Sequence, residues 1–216
     1  MSNAQQIKVK YISMSQENIC IFGDSIVWGA HRLPSRVAWV NLLRNELESA
    51  NRNYRVYDLG IDMDTTKQVI ERFDIEAKSR KPTYLIFDIG VNDSLYRDNP
   101  ENAETTPNEF EQNIQKLIEK ARAFTKKIMF IGLVKGDDKL TNPLPQSTTG
   151  KIYTKDRVST YNSIIRRVCD KAKISFVDVY PIMDDTDFSD GLHPNENGHK
   201  KMFELILGEF EKLLIS

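Results

Sequence analysis

The sequence has few cysteines and no long apolar segment, and both absences limit what the protein can be. Cys20 and Cys169 are the only two cysteines in 216 residues, so a disulfide framework is excluded and reduced thiols are expected. Apolar runs such as residues 128–134 are far shorter than the roughly 18 residues that a transmembrane helix requires. The N-terminus contains no apolar signal core. We therefore expect a cytoplasmic protein with no membrane span.

The sequence also lacks an excess of charge of either sign. Thirty basic residues oppose 31 acidic residues, which leaves a formal net charge of −1. This balance removes the basic footprint of a nucleic-acid-binding protein, so no nucleic-acid partner is expected. With 40% hydrophobic and 28% charged residues, the composition is that of a folded globular chain. The length predicts one domain over residues 17–216, preceded by an N-terminal extension over residues 1–16.

Short apolar runs alternate with longer amphipathic patterns along the chain. The runs predict five strands, at residues 18–22, 54–59, 83–89, 127–134 and 174–179. Apolar residues at helical spacing predict five helices, at residues 37–50, 65–78, 108–124, 156–173 and 196–214. This alternation is typical of right-handed βαβ units and a parallel sheet. The predicted fold class is therefore α/β, a three-layer α/β/α sandwich with a five-stranded parallel sheet of the flavodoxin-like type.

Two connections, residues 94–107 and 135–154, are longer than the few residues that usually join elements of an α/β domain. Both follow predicted strands and so leave the carboxyl edge of the sheet, where open α/β folds bind ligands. We expect both connections to wall a binding pocket. Three aromatic residues are candidates for substrate-binding positions in the wall of that pocket: Trp28, Tyr96 and Tyr153.

Four of the predicted strands are followed by clusters of polar side chains. The clusters are Gly23-Asp24-Ser25, residues 60–66, Gly90-Val91-Asn92-Asp93 and Asp190-Gly191-Leu192-His193. Because the carboxyl ends of parallel strands meet at one edge of a sheet, these clusters should lie close together. A serine, an asparagine and an Asp-x-x-His pair at one place would supply a nucleophile, an oxyanion donor and an oriented base.

The Gly-Asp-Ser, Gly-x-Asn-Asp and Asp-x-x-His motifs resemble those of the SGNH hydrolases, also called GDSL-type lipases and esterases. The resemblance extends from residue 19 to about residue 198, with the motifs in the order of that family. It implies a serine esterase that acts on a small-molecule ester, with no obligatory cofactor and no metal. By position, Ser25 matches the nucleophile and His193 matches the base. Asp190 matches the residue that orients the base, and Asn92 matches an oxyanion donor.

The second cluster departs from the family pattern. The family reads Asn-x-Gly-x-x-Gly-Asp-Thr, whereas this chain reads Asp-Leu-Gly-Ile-Asp-Met-Asp-Thr over residues 58–65. Met63 stands where the family has the glycine whose main-chain N–H donates to the oxyanion. A methionine keeps that N–H, so we expect the oxyanion hole to consist of the N–H groups of Ser25 and Met63 and the side chain of Asn92. If the position requires a positive φ, Met63 is strained.

The other two histidines and the strand-end aspartates also have predicted roles. His199, on the last predicted helix, is expected to be solvated or to cap a helix, and His31 could line the pocket. Asp24 and Asp93 are expected to brace the loops that contain them. The strand-end aspartates together predict an acidic rim that disfavours anionic substrates: Asp24, Asp62, Asp64, Asp93 and Asp190.

Two other classes of function stay open at the level of the sequence. The acidic motifs are faintly similar to those of metal-dependent phosphoesterases, although the chain has only three histidines. The substitution at Met63 is also compatible with a non-catalytic ligand-binding domain on the same fold. Among ester hydrolases, short to medium acyl groups are favoured because the long connections are mostly polar. A sugar acetate, a simple alcohol ester and a lysophospholipid are all compatible, as is acyl transfer to an alcohol, and no oligomeric state is indicated.

Overall fold

The computed structural model describes residues 16–30, 37–49, 53–145 and 147–214. Within these ranges the strands, in chain order, are β1 (Glu17–Gly23), β2 (Tyr54–Gly60), β3 (Tyr84–Asp88), β4 (Tyr96–Arg97), β5 (Asn99–Ala103), β6 (Ile128–Ile131), β7 (Lys151–Ile152) and β8 (Ser175–Val177). The helices are α1 (Ser25–Trp28), α2 (Trp39–Ser49), α3 (Thr66–Arg80), α4 (Pro107–Arg122), α5 (Asp138–Thr141), α6 (Lys155–Ala172) and α7 (Glu196–Leu214).

A five-stranded parallel sheet in the order β2-β1-β3-β6-β8 forms the middle layer of the fold. This is the strand order of flavodoxin-like doubly wound sheets. The predicted fold class is confirmed, and each of the five predicted strands and five predicted helices overlaps an element of the structure. The prediction worked because the runs in β1 and β3 are continuously apolar, as expected for strands covered on both faces.

The sheet is covered by helices on both faces, and alternate residues of its strands point to opposite layers. In β1, Ile19 and Ile21 pack into a cluster with Trp39 of α2 and Phe210 of α7. Cys20 and Phe22 pack into the other cluster, which also contains apolar residues of α3, α4 and α6. The period-two alternation of a strand therefore divides the apolar residues between two separate cores.

Stacked aromatic rings dominate the core on the α3 side of the sheet. The ring of Phe87, in the central strand β3, lies 4.7 Å from the ring of Phe130 and 5.8 Å from the ring of Phe22, centroid to centroid. Phe73 of α3 completes the group, at 5.9 Å from Phe87. Spacings of this size are typical of favourable offset or tilted aromatic pairs. The aromatic group thus joins three neighbouring strands to one helix.

The two long connections contain a second sheet, which the sequence analysis did not predict. β4 pairs in antiparallel fashion with both β5 and β7, so that Tyr96 lies opposite Ile152. Residues 94–107 and 135–154 are therefore joined to each other by main-chain hydrogen bonds. No local pattern indicates this pairing, because β4 and β7 contain two residues each and β5 reads Asn-Pro-Glu-Asn-Ala.

The structure also bears on the predictions for the N-terminal extension, the two cysteines and a membrane span. Residues 1–15 of the predicted extension, His31 and the predicted helix end at Ala50 lie outside the described residues. Both cysteines are buried and unbridged, as expected. None of the helices in the described part of the chain combines the length and the apolar character needed to cross a lipid bilayer.

The aromatic core provides a test of the fold. Phe87→Ala should lower the free energy of unfolding by about 3–5 kcal/mol, because it leaves a cavity at the centre of the stack. Ile75→Ala removes an apolar side chain of α3 that is 76% exposed, and it should change the free energy of unfolding by less than about 0.5 kcal/mol. Urea denaturation followed by circular dichroism measures both values. Equal effects of the two substitutions would contradict this description of the core.

Candidate active site

Ser25 is the first residue of α1, directly after β1. The carboxylate of Asp24 caps this short helix by accepting a hydrogen bond from the main-chain N–H of Ile26 at 2.9 Å. Gly23 is required for the sharp exit from the strand, since a Cβ there would lie 2.2 Å from Cγ2 of Val27. The Gly-Asp-Ser motif therefore fixes the hydroxyl of Ser25 at the carboxyl edge of the sheet.

His193 lies between Ser25 and Asp190. Its Nε2 is 3.0 Å from Oγ of Ser25, and its Nδ1 is 2.8 Å from Oδ2 of Asp190. A carboxylate only accepts hydrogen bonds, so Nδ1 carries the proton and Nε2 is free to accept the proton of the serine hydroxyl. The three side chains form one directed chain of hydrogen bonds.

Asp190 is held in place by its own turn. Its Oδ1 accepts hydrogen bonds from the main-chain N–H groups of Leu192 at 3.0 Å and His193 at 2.8 Å. The turn requires a φ of +92° at residue 191, which glycine adopts without steric penalty. Burial opposes ionisation of Asp190, but the hydrogen bond and charge of His193 outweigh it and hold its pKa below the usual range. Asp190 is therefore an anion that can stabilise a protonated imidazole.

Asn92 begins a 3-10 turn after β3 and is almost fully buried. Its Nδ2 donates to the main-chain carbonyl of Asp64 at 3.0 Å, and its Oδ1 accepts from the hydroxyl of Tyr153 at 3.0 Å. The contact with Tyr153 is one that sequence reasoning missed, because the two residues are 61 positions apart. The amide lines the same cavity as His193.

Met63 adopts the backbone conformation that normally favours glycine. Its φ is 66°, in the left-handed region, which costs a residue with a Cβ about 1–2 kcal/mol. Because φ is positive at this position, the backbone of Met63 is strained. The side chain lines the cavity, and its Sδ lies 3.0 Å from Nζ of Lys151. The methionine thus retains a glycine-type backbone while it occupies space that a glycine would leave open.

Arg72 of α3 joins the strand ends behind the site, and sequence reasoning missed it. Its guanidinium donates to the carbonyls of Gly23 at 3.2 Å and Leu59 at 2.7 Å, and to the carboxylate of Asp64 at 2.8 Å. Five N–H donors in a fixed plane allow one arginine to satisfy several acceptors at once. In the sequence, Arg72 is indistinguishable from the other polar residues of an amphipathic helix.

Asp93 braces its loop, in agreement with the prediction for it. Its carboxylate accepts hydrogen bonds from the main-chain N–H of Thr66 at 2.9 Å and from the Thr66 hydroxyl at 2.5 Å. Burial raises the pKa of Asp93 to about 6, although the hydrogen bonds from Thr66 act in the opposite direction. This contact ties the loop of Asn92 to the start of α3.

The predicted acidic rim is wrong for most of its members. Asp24 and Asp93 are buried, and Asp64 is 7% exposed and paired with Arg72. Among the five aspartates, Asp62 and Asp190 line the cavity, and Lys151 lies in the same wall. Asp24 and Asp93 accept hydrogen bonds from main-chain N–H groups, and Asp64 is neutralised by Arg72, so these three carboxylates form no acidic barrier to anionic substrates.

His199 is buried, which excludes the solvated role, and its ring caps the start of α2, which agrees with the other predicted role. Its Nδ1 accepts a hydrogen bond from the main-chain N–H of Trp39 at 3.4 Å. Burial, followed by the nearby charge of His193, lowers the pKa of His199 to about 4, so this ring is neutral at pH 7. Nε1 of Trp39 also donates to the buried carboxylate of Asp88 at 3.0 Å, which places a polar network behind the site.

A cavity of about 480 Å³ opens beside His193, Asn92 and Met63. Apolar residues form part of its wall: Leu140, Leu144, Pro145 and Leu192. The connection over residues 135–154 therefore contributes to the wall as predicted, whereas no residue of 94–107 is among those lining the cavity.

The three aromatic candidates for substrate binding have different positions. Tyr153 lines the cavity. Trp28 does not, because it lies on the outer side of α1 and is 54% exposed. Tyr96 does not either, because pairing of β4 turns it inward, where its ring lies 5.2 Å from the guanidinium carbon of Arg157. Two of the three predicted positions are therefore corrected.

The acidic residues do not assemble into a metal-binding group in the described ranges. No three His, Cys, Asp or Glu side chains lie close enough together there to hold a metal ion. The carboxylates of Asp24, Asp88 and Asp93 accept hydrogen bonds from protein N–H or O–H groups.

Comparison with known proteins identifies the family of this chain. Residues 21–201 match the sequence profile of the GDSL-like Lipase/Acylhydrolase family, which is most of the chain. The chain belongs to this family. The match contains all of the strand-end clusters, from Gly-Asp-Ser to Asp-x-x-His.

Curated relatives match over part of the chain. Esterase TesA of Pseudomonas aeruginosa is 28% identical over 117 residues, which cover 54% of this chain and 54% of the relative. Thioesterase 1/protease 1/lysophospholipase L1 of Escherichia coli K12 is 25% identical over 109 residues, or 50% of each protein. The chain thus matches about half the length of these two relatives.

Solved structures match over almost the whole chain. The lipase/acylhydrolase from Enterococcus faecalis superposes with a TM-score of 0.74 at 22% sequence identity. The superposition covers 91% of this chain and 96% of that one. At this identity the likeness establishes the fold, and it does so independently of the sequence profile.

The buried Asp88 predicts a pH dependence of stability. Burial raises its pKa to about 7, against about 3.9 in an unfolded chain. The folded state therefore binds this proton more tightly, and the resulting stabilisation is present below about pH 4 and lost as the pH rises to about 7. Asp88→Asn keeps an acceptor for Trp39 and cannot ionise. Relative to wild type, its free energy of unfolding should rise by about 1.4 kcal/mol per pH unit across that range. Urea titrations at several pH values test this, and a constant difference would contradict it.

The backbone of Met63 predicts an inverted order of two substitutions. Glycine is normally less stabilising than alanine by roughly 0.5–1 kcal/mol in an ordered segment. At a φ of 66° only alanine carries the steric penalty, so Met63→Gly should be at least as stable as Met63→Ala. Both variants lose the contacts that the methionine side chain makes beyond Cβ, so the difference in stability between them reports the backbone conformation of residue 63. Thermal denaturation of the two proteins measures the difference. A clear advantage for alanine would mean that residue 63 does not hold this conformation.

Proposed function

We propose that the protein is a carboxylic ester hydrolase in which Ser25, His193 and Asp190 form an acyl-enzyme mechanism. The observation that carries the proposal is the hydrogen-bond chain from Oγ of Ser25 through His193 to Asp190, with distances of 3.0 and 2.8 Å. A serine hydroxyl becomes an effective nucleophile only when an adjacent base removes its proton, and this chain supplies such a base.

In the acylation step, Oγ of Ser25 attacks the acyl carbonyl carbon while Nε2 of His193 accepts the hydroxyl proton. The carbonyl π electrons move to the oxygen, which becomes the oxyanion of a tetrahedral intermediate. Asp190 stabilises the imidazolium through the hydrogen bond to Nδ1. When the intermediate collapses, the bond to the alcohol oxygen breaks, and His193 returns the proton to that leaving group.

The oxyanion needs hydrogen-bond donors at the same edge of the sheet. The main-chain N–H groups of Ser25 and Met63 and the Nδ2 of Asn92 are the proposed donors. Support comes from Asn92 and Met63, which both line the cavity next to His193. Removal of one donor from such a site typically lowers kcat by roughly 10²–10³-fold.

Deacylation repeats the same chemistry with water as the nucleophile. The water oxygen attacks the acyl carbon while His193 accepts a proton from the water. His193 then donates this proton to Oγ of Ser25 as the acyl–serine bond breaks. The products are a carboxylic acid, the alcohol and the regenerated enzyme. An alcohol in place of water would give acyl transfer through the same intermediate.

The proposed substrates are esters with short to medium acyl groups. A cavity of about 480 Å³ lies within the range of small-molecule sites, and its wall combines apolar residues with Asp62 and Lys151. The relatives named esterase and thioesterase 1/protease 1/lysophospholipase L1 are consistent with hydrolysis of acyl compounds. A sugar acetate, an alcohol ester and a lysophospholipid are the candidate classes.

Serine reactivity provides the direct test. A fluorophosphonate probe should label the wild-type protein, and Ser25→Ala should remove labelling and lower turnover of p-nitrophenyl acetate by more than about 10³-fold. Ser163→Ala is a suitable control, because Ser163 is exposed on α6 and is not among the residues that line the cavity. It should be labelled and active like wild type.

Three outcomes would count against the proposal. Absence of labelling at neutral pH would reject the serine mechanism, and retained turnover by Ser25→Ala would move the nucleophile elsewhere. Loss of turnover with EDTA, followed by recovery with Mn²⁺, would favour the metal-dependent phosphoesterase instead.

A further inference from the structure

The hydroxyl of Tyr153 donates a hydrogen bond to Oδ1 of Asn92 and so connects this amide to the segment that follows β7. Tyr153 is 2% exposed, and its hydroxyl oxygen lies 3.0 Å from that Oδ1. We propose that Tyr153 is a positioning residue, which orients the Asn92 amide so that Nδ2 faces the oxyanion. The inference rests on the proposed role of Asn92 as an oxyanion donor.

The hydrogen-bond pattern determines which end of the amide faces which partner. The main-chain carbonyl of Asp64 only accepts, so the atom of Asn92 that lies 3.0 Å from it must be the nitrogen. The other end is then Oδ1, which can only accept, so the hydroxyl of Tyr153 must donate. One N–H of the amide donates to the carbonyl of Asp64, and the second has no acceptor among the residues that the structure describes, so it is the N–H that would donate to a substrate oxygen in the cavity.

Tyr153 can act as a permanent donor in this position. Burial, followed by the nearby charge of Asp24, raises the pKa of Tyr153 well above that of an exposed tyrosine. The hydroxyl therefore keeps its proton throughout the pH range in which an esterase works. A phenolate would repel Oδ1 and release the amide, so retention of the proton matters for the contact.

The second sheet fixes Tyr153 from the main chain. The residue directly follows β7, whose Ile152 pairs with Tyr96 of β4. Its N–H donates to the carbonyl of Thr141 at 3.0 Å, and its own carbonyl accepts from the Thr141 hydroxyl at 2.7 Å. Strand pairing and these two bonds leave the side chain little freedom. The two long connections thus meet at a residue that touches the oxyanion donor.

Steady-state kinetics separate positioning from substrate contact. Tyr153→Phe should lower kcat for p-nitrophenyl acetate about tenfold, less than the loss of a whole donor, and leave KM within about twofold of wild type. Tyr84→Phe is the matched control: Tyr84 is buried at the start of β3, and its hydroxyl accepts a hydrogen bond from Lys127 at 2.8 Å. It should keep wild-type kcat. A raised KM with unchanged kcat for Tyr153→Phe would overturn the proposal.

A double-mutant cycle tests whether Tyr153 acts through Asn92. In the Asn92→Ala background, Tyr153→Phe should cause no further loss of kcat, because the group that it orients is gone. A general structural defect would instead lower kcat by the same factor in both backgrounds, and this result would reject the positioning role. If Tyr153→Phe does not fold, Thr141→Val replaces it in the same cycle, since it removes the hydroxyl that holds the Tyr153 carbonyl. It should lower kcat several-fold in the wild-type background only.

A readout that does not depend on turnover distinguishes this proposal from the proposed function. The side-chain amide signals of Asn92 can be assigned in ¹H–¹⁵N spectra by their loss in Asn92→Ala. They should shift in Tyr153→Phe and stay in place in Tyr84→Phe. Unchanged signals in Tyr153→Phe would reject the hydrogen bond. If the wild-type protein lacks esterase activity, the proposed function fails, while the spectra still decide whether Tyr153 holds the amide.

Discussion

The hydrogen bond between Oγ of Ser25 and Nε2 of His193 joins residues 168 positions apart, and the arrangement of the site depends on it. It forms because parallel strands deliver their carboxyl ends to one edge of the sheet. Each partner is also held by local contacts: Asp24 caps the helix of Ser25, and Asp190 accepts two N–H groups from the turn of His193. Local turns supply the directions of the side chains, and the sheet supplies their proximity.

The main electrostatic cost at the carboxyl edge of the sheet is the desolvation of buried carboxylates. Asp24, Asp88 and Asp93 are nearly inaccessible, and burial raises the pKa of each. Each accepts a hydrogen bond from a different segment or a helix start, which offsets part of the desolvation. The same residues therefore brace the loops and make stability sensitive to pH. Because these carboxylates are buried, they do not form an acidic rim around the cavity of this chain of balanced charge.

Met63 departs from the pattern of the family, and Tyr153 adds a buried contact to the same region of the site. Met63 keeps a left-handed backbone and adds a side chain to the cavity. Tyr153 extends from the small sheet to the Asn92 amide. One residue reduces the space near the proposed oxyanion hole, and the other restrains one of its donors. Both residues line the cavity beside the proposed oxyanion hole, whereas Ser25, His193 and Asp190 match the motifs of the family.

The sequence by itself determined the fold class, the main helices and strands of the central sheet, and the residues of the strand-end clusters. Apolar periodicity and motif spacing are local properties, and the motifs of Ser25, Asn92 and His193 identify the family. Tertiary structure decided the rest. The pairing of β4 with β7, the burial of His199, the inward turn of Tyr96 and the contacts of Arg72 all join segments that are distant in the chain. No local pattern encodes such contacts, because their energy arises only when the sheet has brought the segments together.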